Sequence, residues 1–297
     1  MIYTLGCSFT KWHWPTWSDW LAVYAQEPVT NWAYPGLTNS AIYYKLLDSM
    51  ESITAHDTVY IMWTGNNRSC LWYDADWVEQ HDCHGFFPDR ELWFGSKTYT
   101  GLYKTHPDHL PSLTHMIIDN LAIIFNTQLL LDRIGCRYHM MFWQNPWLDT
   151  RETYRPSFDI SWNKKQHISR QEIDQAQSIM AYGPVANLLA HLDWSRFVQA
   201  PDCVDRPEQY RGLWEYVLDR PDLVLLNHAH DRHPNTAAHH AWLTEKILQV
   251  PGQHADTARD LAQHMHSIEI PPWSSTAAID GWHEILNQYP LDRTVTA

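Results

Sequence analysis

Apolar residues along this chain fall into short blocks that alternate between two kinds of spacing. Ile2-Tyr3-Thr4-Leu5 is a run of strand-forming residues closed by Gly6, and Ser18 to Tyr24 has helical spacing. Val29 to Ala33 repeats the strand pattern and ends at Tyr34-Pro35-Gly36. Asn39 to Met50 reads as a helix, with Asn39 or Ser40 near its N-cap. Thr58-Val59-Tyr60-Ile61-Met62-Trp63 is apolar on both faces, as a parallel strand covered by helices should be. Ser112 to Ile134 is a long helix and Cys136 to Trp143 a fourth buried strand, ending in Gln144-Asn145-Pro146.

Between these blocks the pattern is weaker. From Cys70 to Pro111 it dissolves into Trp, His, Gly, Pro and Asp, and a loop of that length in a compact domain is usually functional or an interface, so it is expected to be a lid or docking insertion. Trp147 to Gln171 is polar and irregular, and Gln171 to Trp194 is helical with a break at Gly183-Pro184. Asp222 to Leu226 reads as a last strand or apolar approach segment, His228 to Asn235 as a loop, and Thr236 to Val250 as an amphipathic helix. Residues 1–250 are therefore expected to form one domain and residues 251–297 a C-terminal extension. Strand–helix alternation argues for an α/β fold with a doubly wound parallel sheet, its site beyond the carboxyl ends of the strands.

Composition narrows the function classes. The net charge of −13 should repel phosphate backbones and anionic membrane surfaces, and no Lys/Arg run builds a basic groove, so nucleic acid is not expected as a partner. Met116 to Ile134 is the longest apolar stretch, but Asp119, Asn120, Asn126, Gln128 and Asp132 interrupt it, so no membrane insertion is expected. The five cysteines are odd in number and widely spaced, which suits reduced thiols. No basic leader and apolar stretch opens the chain, so synthesis in a cytoplasm without a signal peptide is expected. The 17 tryptophans should mostly fill core or subunit interfaces, with a minority lining a cleft, where indole faces suit sugar rings.

Four loops carry candidate chemistry. Gly6-Cys7-Ser8-Phe9-Thr10 puts a serine just past the first strand, although such a turn is also a common place for a plain capping serine. His233, in Asp231-Arg232-His233-Pro234-Asn235, stands before a helix and can act as its base, with Asp231 as the acceptor that fixes the imidazole. Tyr34-Pro35-Gly36-Leu37-Thr38-Asn39 and Trp63-Thr64-Gly65-Asn66-Asn67-Arg68 place Gly and Asn where an N–H could meet a developing oxyanion.

In this order the loops resemble the blocks of the SGNH hydrolases, also called GDSL-like lipases or acylhydrolases, across residues 1–250. Gly6-Cys7-Ser8-Phe9 is similar to the first block with Cys in place of Asp, a variant of microbial and phage-encoded branches, and implies that Ser8 is the nucleophile. Gly36 followed by Asn39 resembles the second block. Gly65-Asn66-Asn67 resembles the third, which implies Asn67, with Asn66 as the alternative, as an amide donor. His233-Pro234-Asn235 with His239 resembles the fifth and implies His233 as the base. The family's acid lies three residues before its histidine, where this chain has His230, so Asp231 takes that part from two residues before; Arg68 and Ala238 stand where Asp and Gly are common.

The resemblance implies a three-layer α/β/α, flavodoxin-like fold and two-step ester hydrolysis. Gly36, Asn67 and the Ser8 N–H would form the oxyanion hole, and Asn66, Arg68, Asn39 and Trp63 would stand near the substrate. No metal or organic cofactor is called for. The expected substrate is a carbohydrate ester, above all an O-acetyl group, or another small ester. The rival from another class is a non-catalytic SGNH-fold protein of a virus particle or surface assembly, as a homo-oligomer or among neighbouring subunits. Burial of Ser8 under a neighbouring segment would favour it. A metallohydrolase would draw on His81, Cys83 and His84, or on His228, His230 and His233.

Overall fold

The computed structural model describes residues 1–12, 14–25, 27–66, 112–147, 170–198, 210–218, 220 and 233–249, and the backbone of 68–74 and 92–98. Six strands are described: β1 Ile2–Leu5, β2 Val29–Asn31, β3 Thr58–Trp63, β4 Arg68–Asp74, β5 Leu92–Thr98 and β6 Arg137–Phe142. The helices are α1 Trp17–Ala25, α2 Asn39–Ser49, α3 Leu113–Ile134, α4 Arg170–Met180, α5 Gly183–His191, α6 Leu213–Leu218 and α7 Thr236–Trp242. The last continues as a π turn over Leu243–Ile247.

β1, β2, β3 and β6 form one all-parallel sheet in the order β2-β1-β3-β6. Every residue of β1 and β3 is buried, so both faces of the sheet centre are covered. Helix α1 packs with α7, while α3 packs with α2 and α5. The connection through α1 carries the chain from β1 to its neighbour β2. The connection through α2 then crosses back over β1 to β3. Adjacent strands β1 and β3 thus send their chains in opposite directions, the arrangement that opens a crevice at the carboxyl edge of a parallel sheet. Beyond β6, Phe197 bridges Met140 in parallel and the Val198 N–H donates to the Met140 carbonyl at 2.9 Å, covering part of an otherwise open edge.

The core is unusually aromatic. Trp17, Trp20, Trp63, Trp143, Trp147 and Trp242 are fully buried, which bears out core as the main use of tryptophan among the described residues. Helix α3 begins at Ser112, whose Oγ accepts from the His115 N–H, and ends at Gly135 with φ 78°, the left-handed cap that glycine accepts most readily. Among the described residues no helix is long and apolar enough to cross a membrane.

Several expectations need correction. The N-cap of α2 is Thr38, whose Oγ1 accepts from the Ala41 N–H at 3.1 Å; Asn39 already lies in the first turn, its amide taken up elsewhere. The 70–111 stretch is not irregular throughout, because β4 and β5 pair antiparallel with Arg68 opposite Thr98 and Asp74 opposite Leu92. Two strand segments separated by residues 75–91 leave no tight-turn signature to read. Helix α6 is not among the expected elements, whereas the break expected at Gly183-Pro184 is present, with Pro184 in the first turn of α5. The expected strand at 222–226, the polar stretch at 148–169 and the 251–297 extension lie outside the described residues.

Candidate active site

Parallel strands bring their carboxyl ends to one edge, so the loops after β1, β2, β3 and β6 gather there. The loop after β1 is a tight helical turn: the Thr10 and Lys11 N–H groups both donate to the Cys7 carbonyl, at 2.9 and 3.2 Å, with Ser8 and Phe9 at its crest. Gly6 is required by close approach rather than by φ. A Cβ there would press into the Thr10 side chain and lie 3.1 Å from the Met62 carbonyl on β3. Gly6→Ala is accordingly expected to cost about 1–3 kcal/mol in chemical denaturation, the usual penalty of overpacking.

The loop after β2 is tied to this turn. The Tyr34 N–H donates to the Gly6 carbonyl at 3.2 Å, and the Asn31 amide donates to the Thr10 carbonyl at 2.9 Å. Gly36 follows with φ 87°, a conformation that favours glycine and turns the chain toward α2. Asn39 then clamps α2 to the loop after β3. Its Oδ1 accepts from the Thr64 N–H at 2.7 Å, and its Nδ2 donates to the Thr64 carbonyl at 3.0 Å and to Asn120 Oδ1 at 2.6 Å. With those bonds made and the residue buried, Asn39 holds two loops together and has no amide hydrogen left for a substrate.

Asn66 is also occupied in part: its Nδ2 donates to the Pro146 carbonyl at 2.6 Å, joining the loops after β3 and β6. Trp63 is fully buried at the end of β3, so it belongs to the core and is removed from the substrate-contacting set. Asn67 lies outside the described residues. Arg68 is described only as the first backbone position of β4.

His233 comes from the loop before α7 and meets the β1 loop through aromatic packing. Its ring stacks on Trp12 with centroids 3.7 Å apart, and it lies 5.2 Å from the ring of Phe9, the residue after Ser8. Three hydrogen bonds fix this junction: Trp14 Nε1 to the Pro234 carbonyl at 2.8 Å, Trp20 Nε1 to Thr236 Oγ1 at 3.2 Å, and Thr236 Oγ1 to the Pro15 carbonyl at 2.8 Å. Asn235 caps α7 by accepting from the Ala238 N–H. The fold therefore brings the Ser8 turn, the Gly36 turn, the Thr64–Asn66 loop and His233 to one edge. Asp231 lies outside the described residues, and Ser8 itself is only 4% exposed.

Local sequence does not disclose the surroundings of several residues at this edge. Phe9 stacks on Trp143 at 4.3 Å and meets Trp214 edge-on at 6.3 Å. His239, one turn into α7, is wholly buried, and neither ring nitrogen has a hydrogen-bond partner among the described residues. Burial, with help from the charge of His233, pushes its pKa down to about 3, so it stays neutral beside His233. Glu215 on α6 is partly buried, and burial pushes its carboxyl up to about 7 against the N–H groups of Asn145 and Gly212 and the charge of Arg211. Phe9 and His239 fall within the first and fifth blocks of the resemblance, which say nothing of these contacts, and Glu215 carries no sequence signal.

Among the described residues no three His, Cys, Asp or Glu side chains are grouped to hold a metal ion. His81, Cys83, His84, His228 and His230 lie outside them. No protein-family model matches the chain, and no curated protein matches it in sequence.

Proposed function

We propose that the protein is a serine esterase of SGNH (GDSL-like) type acting on short acyl esters of a carbohydrate. The observation that carries this reading is the packing of His233 against Phe9 and Trp12, on the same turn that presents Ser8 at the switch between β1 and β3. The order β2-β1-β3-β6, extended by the Phe197 bridge, supports a flavodoxin-like, three-layer sheet for this site.

In the proposed reaction His233 takes the Ser8 hydroxyl proton as Oγ attacks the ester carbonyl, with Asp231 orienting the imidazole. The Ser8 and Gly36 N–H groups and the Asn67 amide hold the oxyanion. The imidazolium returns its proton to the departing alcohol, and water then attacks the acyl-serine by the same route in reverse. The stacked indole of Trp12 holds the imidazole plane in place against the β1 loop. None of these steps draws on a metal or an organic cofactor.

The O-acetyl assignment is tested by release of acetate from an O-acetylated polysaccharide and by comparing p-nitrophenyl acetate with the octanoate and palmitate esters. The acetate ester is expected to be turned over best, and a preference for palmitate would overturn the substrate class. The near-complete burial of Ser8 favours a second reading, in which the fold serves as a non-catalytic part of a virus particle or surface assembly. Under that reading none of these esters is hydrolysed.

A further inference from the structure

The loop after β6, Trp143 to Trp147, is held from several sides. The Trp143 N–H donates to the Trp63 carbonyl at 3.1 Å, the Trp214 N–H donates to the Trp143 carbonyl at 2.7 Å, and the Trp147 N–H donates to Asn145 Oδ1 at 2.9 Å. Segment 212–214 lies so close that a Cβ on Gly212 would fall 2.6 Å from the Trp143 carbonyl carbon and the Gln144 nitrogen. Glu215 stands at the centre of this contact. One carboxylate oxygen accepts from the Gly212 N–H at 2.8 Å, closing half of a capping box for α6, and the other leaves the helix to accept from the Asn145 N–H at 2.9 Å.

That second bond has no part in capping α6. It fixes the loop whose Pro146 carbonyl receives the Asn66 amide, one residue before Asn67, and whose Trp143 ring stacks on Phe9, one residue after Ser8. Two short paths therefore run from one carboxylate, to Asn66 in the loop after β3 and to Phe9 beside the proposed nucleophile. We propose that Glu215 is a positioning residue of the active site, holding the β6 loop so that Asn66, through Pro146, and Phe9, through Trp143, keep the loop after β3 and the Ser8 turn in register. The inference rests on the esterase reading for what is positioned, and on the Glu215 bonds alone for the clamp.

The test compares Glu215→Ala with Glu215→Gln, which keeps one acceptor oxygen, using p-nitrophenyl acetate kinetics and backbone amide hydrogen exchange on the full chain. Glu215→Ala is expected to lower kcat by about 10- to 100-fold with KM within about twofold, the signature of misplaced reacting groups. Glu215→Gln should recover most of that loss. Exchange should quicken in Glu215→Ala at Asn145 and also at Asn66, Asn67 and Phe9, at a temperature where both variants are folded by circular dichroism. Faster exchange confined to Gly212 and Asn145, with kcat unchanged, would reduce Glu215 to a helix cap and overturn the proposal. If the wild type turns over no ester, the esterase reading fails by itself, while exchange at Asn66, Asn67 and Phe9 still decides whether the clamp reaches the edge. Should Glu215→Ala not fold, Glu215→Asp, whose shorter side chain cannot span the Asn145 and Gly212 N–H groups together, is compared with wild type by the same two readouts.

Discussion

Ser8→Ala is expected to abolish ester hydrolysis, lowering kcat by at least about 10,000-fold while leaving the fold intact. The magnitude follows from the chemistry: without Oγ no acyl-enzyme forms, and His233 and the oxyanion donors can offer only their residual assistance to direct attack by water. Stability should change little, because the turn around Ser8 is built from backbone bonds of Thr10 and Lys11 to Cys7 and from the packing of Phe9 on Trp143. A folded Ser8→Ala protein with wild-type turnover would place the activity elsewhere.

The largest expected effect on stability comes from His239. A wholly buried imidazole with both nitrogens unpartnered among the described residues forfeits the hydration it has in the unfolded chain, a penalty of about 1–3 kcal/mol. His239→Leu, similar in volume and free of polar atoms, is expected to raise stability by about that amount at pH 8. The pH dependence has a definite sign. His239 is held neutral in the fold down to about 3, whereas in the unfolded chain it binds a proton below 6.5. As pH falls from 6.5 toward 3 the unfolded chain takes up a proton that the fold excludes, so stability is highest above pH 6.5 and is lost over that range. The advantage of His239→Leu should therefore grow by about 2 kcal/mol between pH 8 and pH 5. Urea denaturation of both proteins at the two pH values measures this. A gap that stays constant would mean that His239 takes up a proton in the fold as readily as in the unfolded chain, so that burial does not hold it neutral.

The parts of the fold that could be read from sequence are those whose signal is local. β1 and β3 are fully buried runs bounded by Gly6 and by the Thr64-Gly65 turn, β6 ends in the buried run Met140–Phe142 before Gln144-Asn145-Pro146, and α3 has both a serine cap and a glycine stop. The β4–β5 pairing was not legible, because the residues that pair are far apart in sequence and no tight turn joins them. The site divides in the same way. Ser8, Gly36 and His233 stand out because each breaks a periodic segment at a strand end or helix start. What holds them together does not, since Trp12 on His233 and Trp14 on Pro234 are contacts between loops about 220 residues apart. Asn39 shows why residue type alone misleads: an asparagine beside the Gly36 turn suits a substrate contact equally well, and only its bonds to Thr64 and Asn120 reveal a clamp. Glu215 is not legible because its capping bond to Gly212 and its bond to Asn145 both depend on a helix that the hydrophobic pattern does not disclose.

The central claim is that Ser8 is an activated nucleophile, and covalent labelling tests it without knowledge of the substrate. The folded protein is incubated with a fluorophosphonate ester at pH 8 and mapped by peptide mass spectrometry. The account predicts one adduct per chain on the peptide carrying Ser8, absent in Ser8→Ala and strongly slowed in His233→Ala. No adduct, or an adduct on another residue, would contradict it.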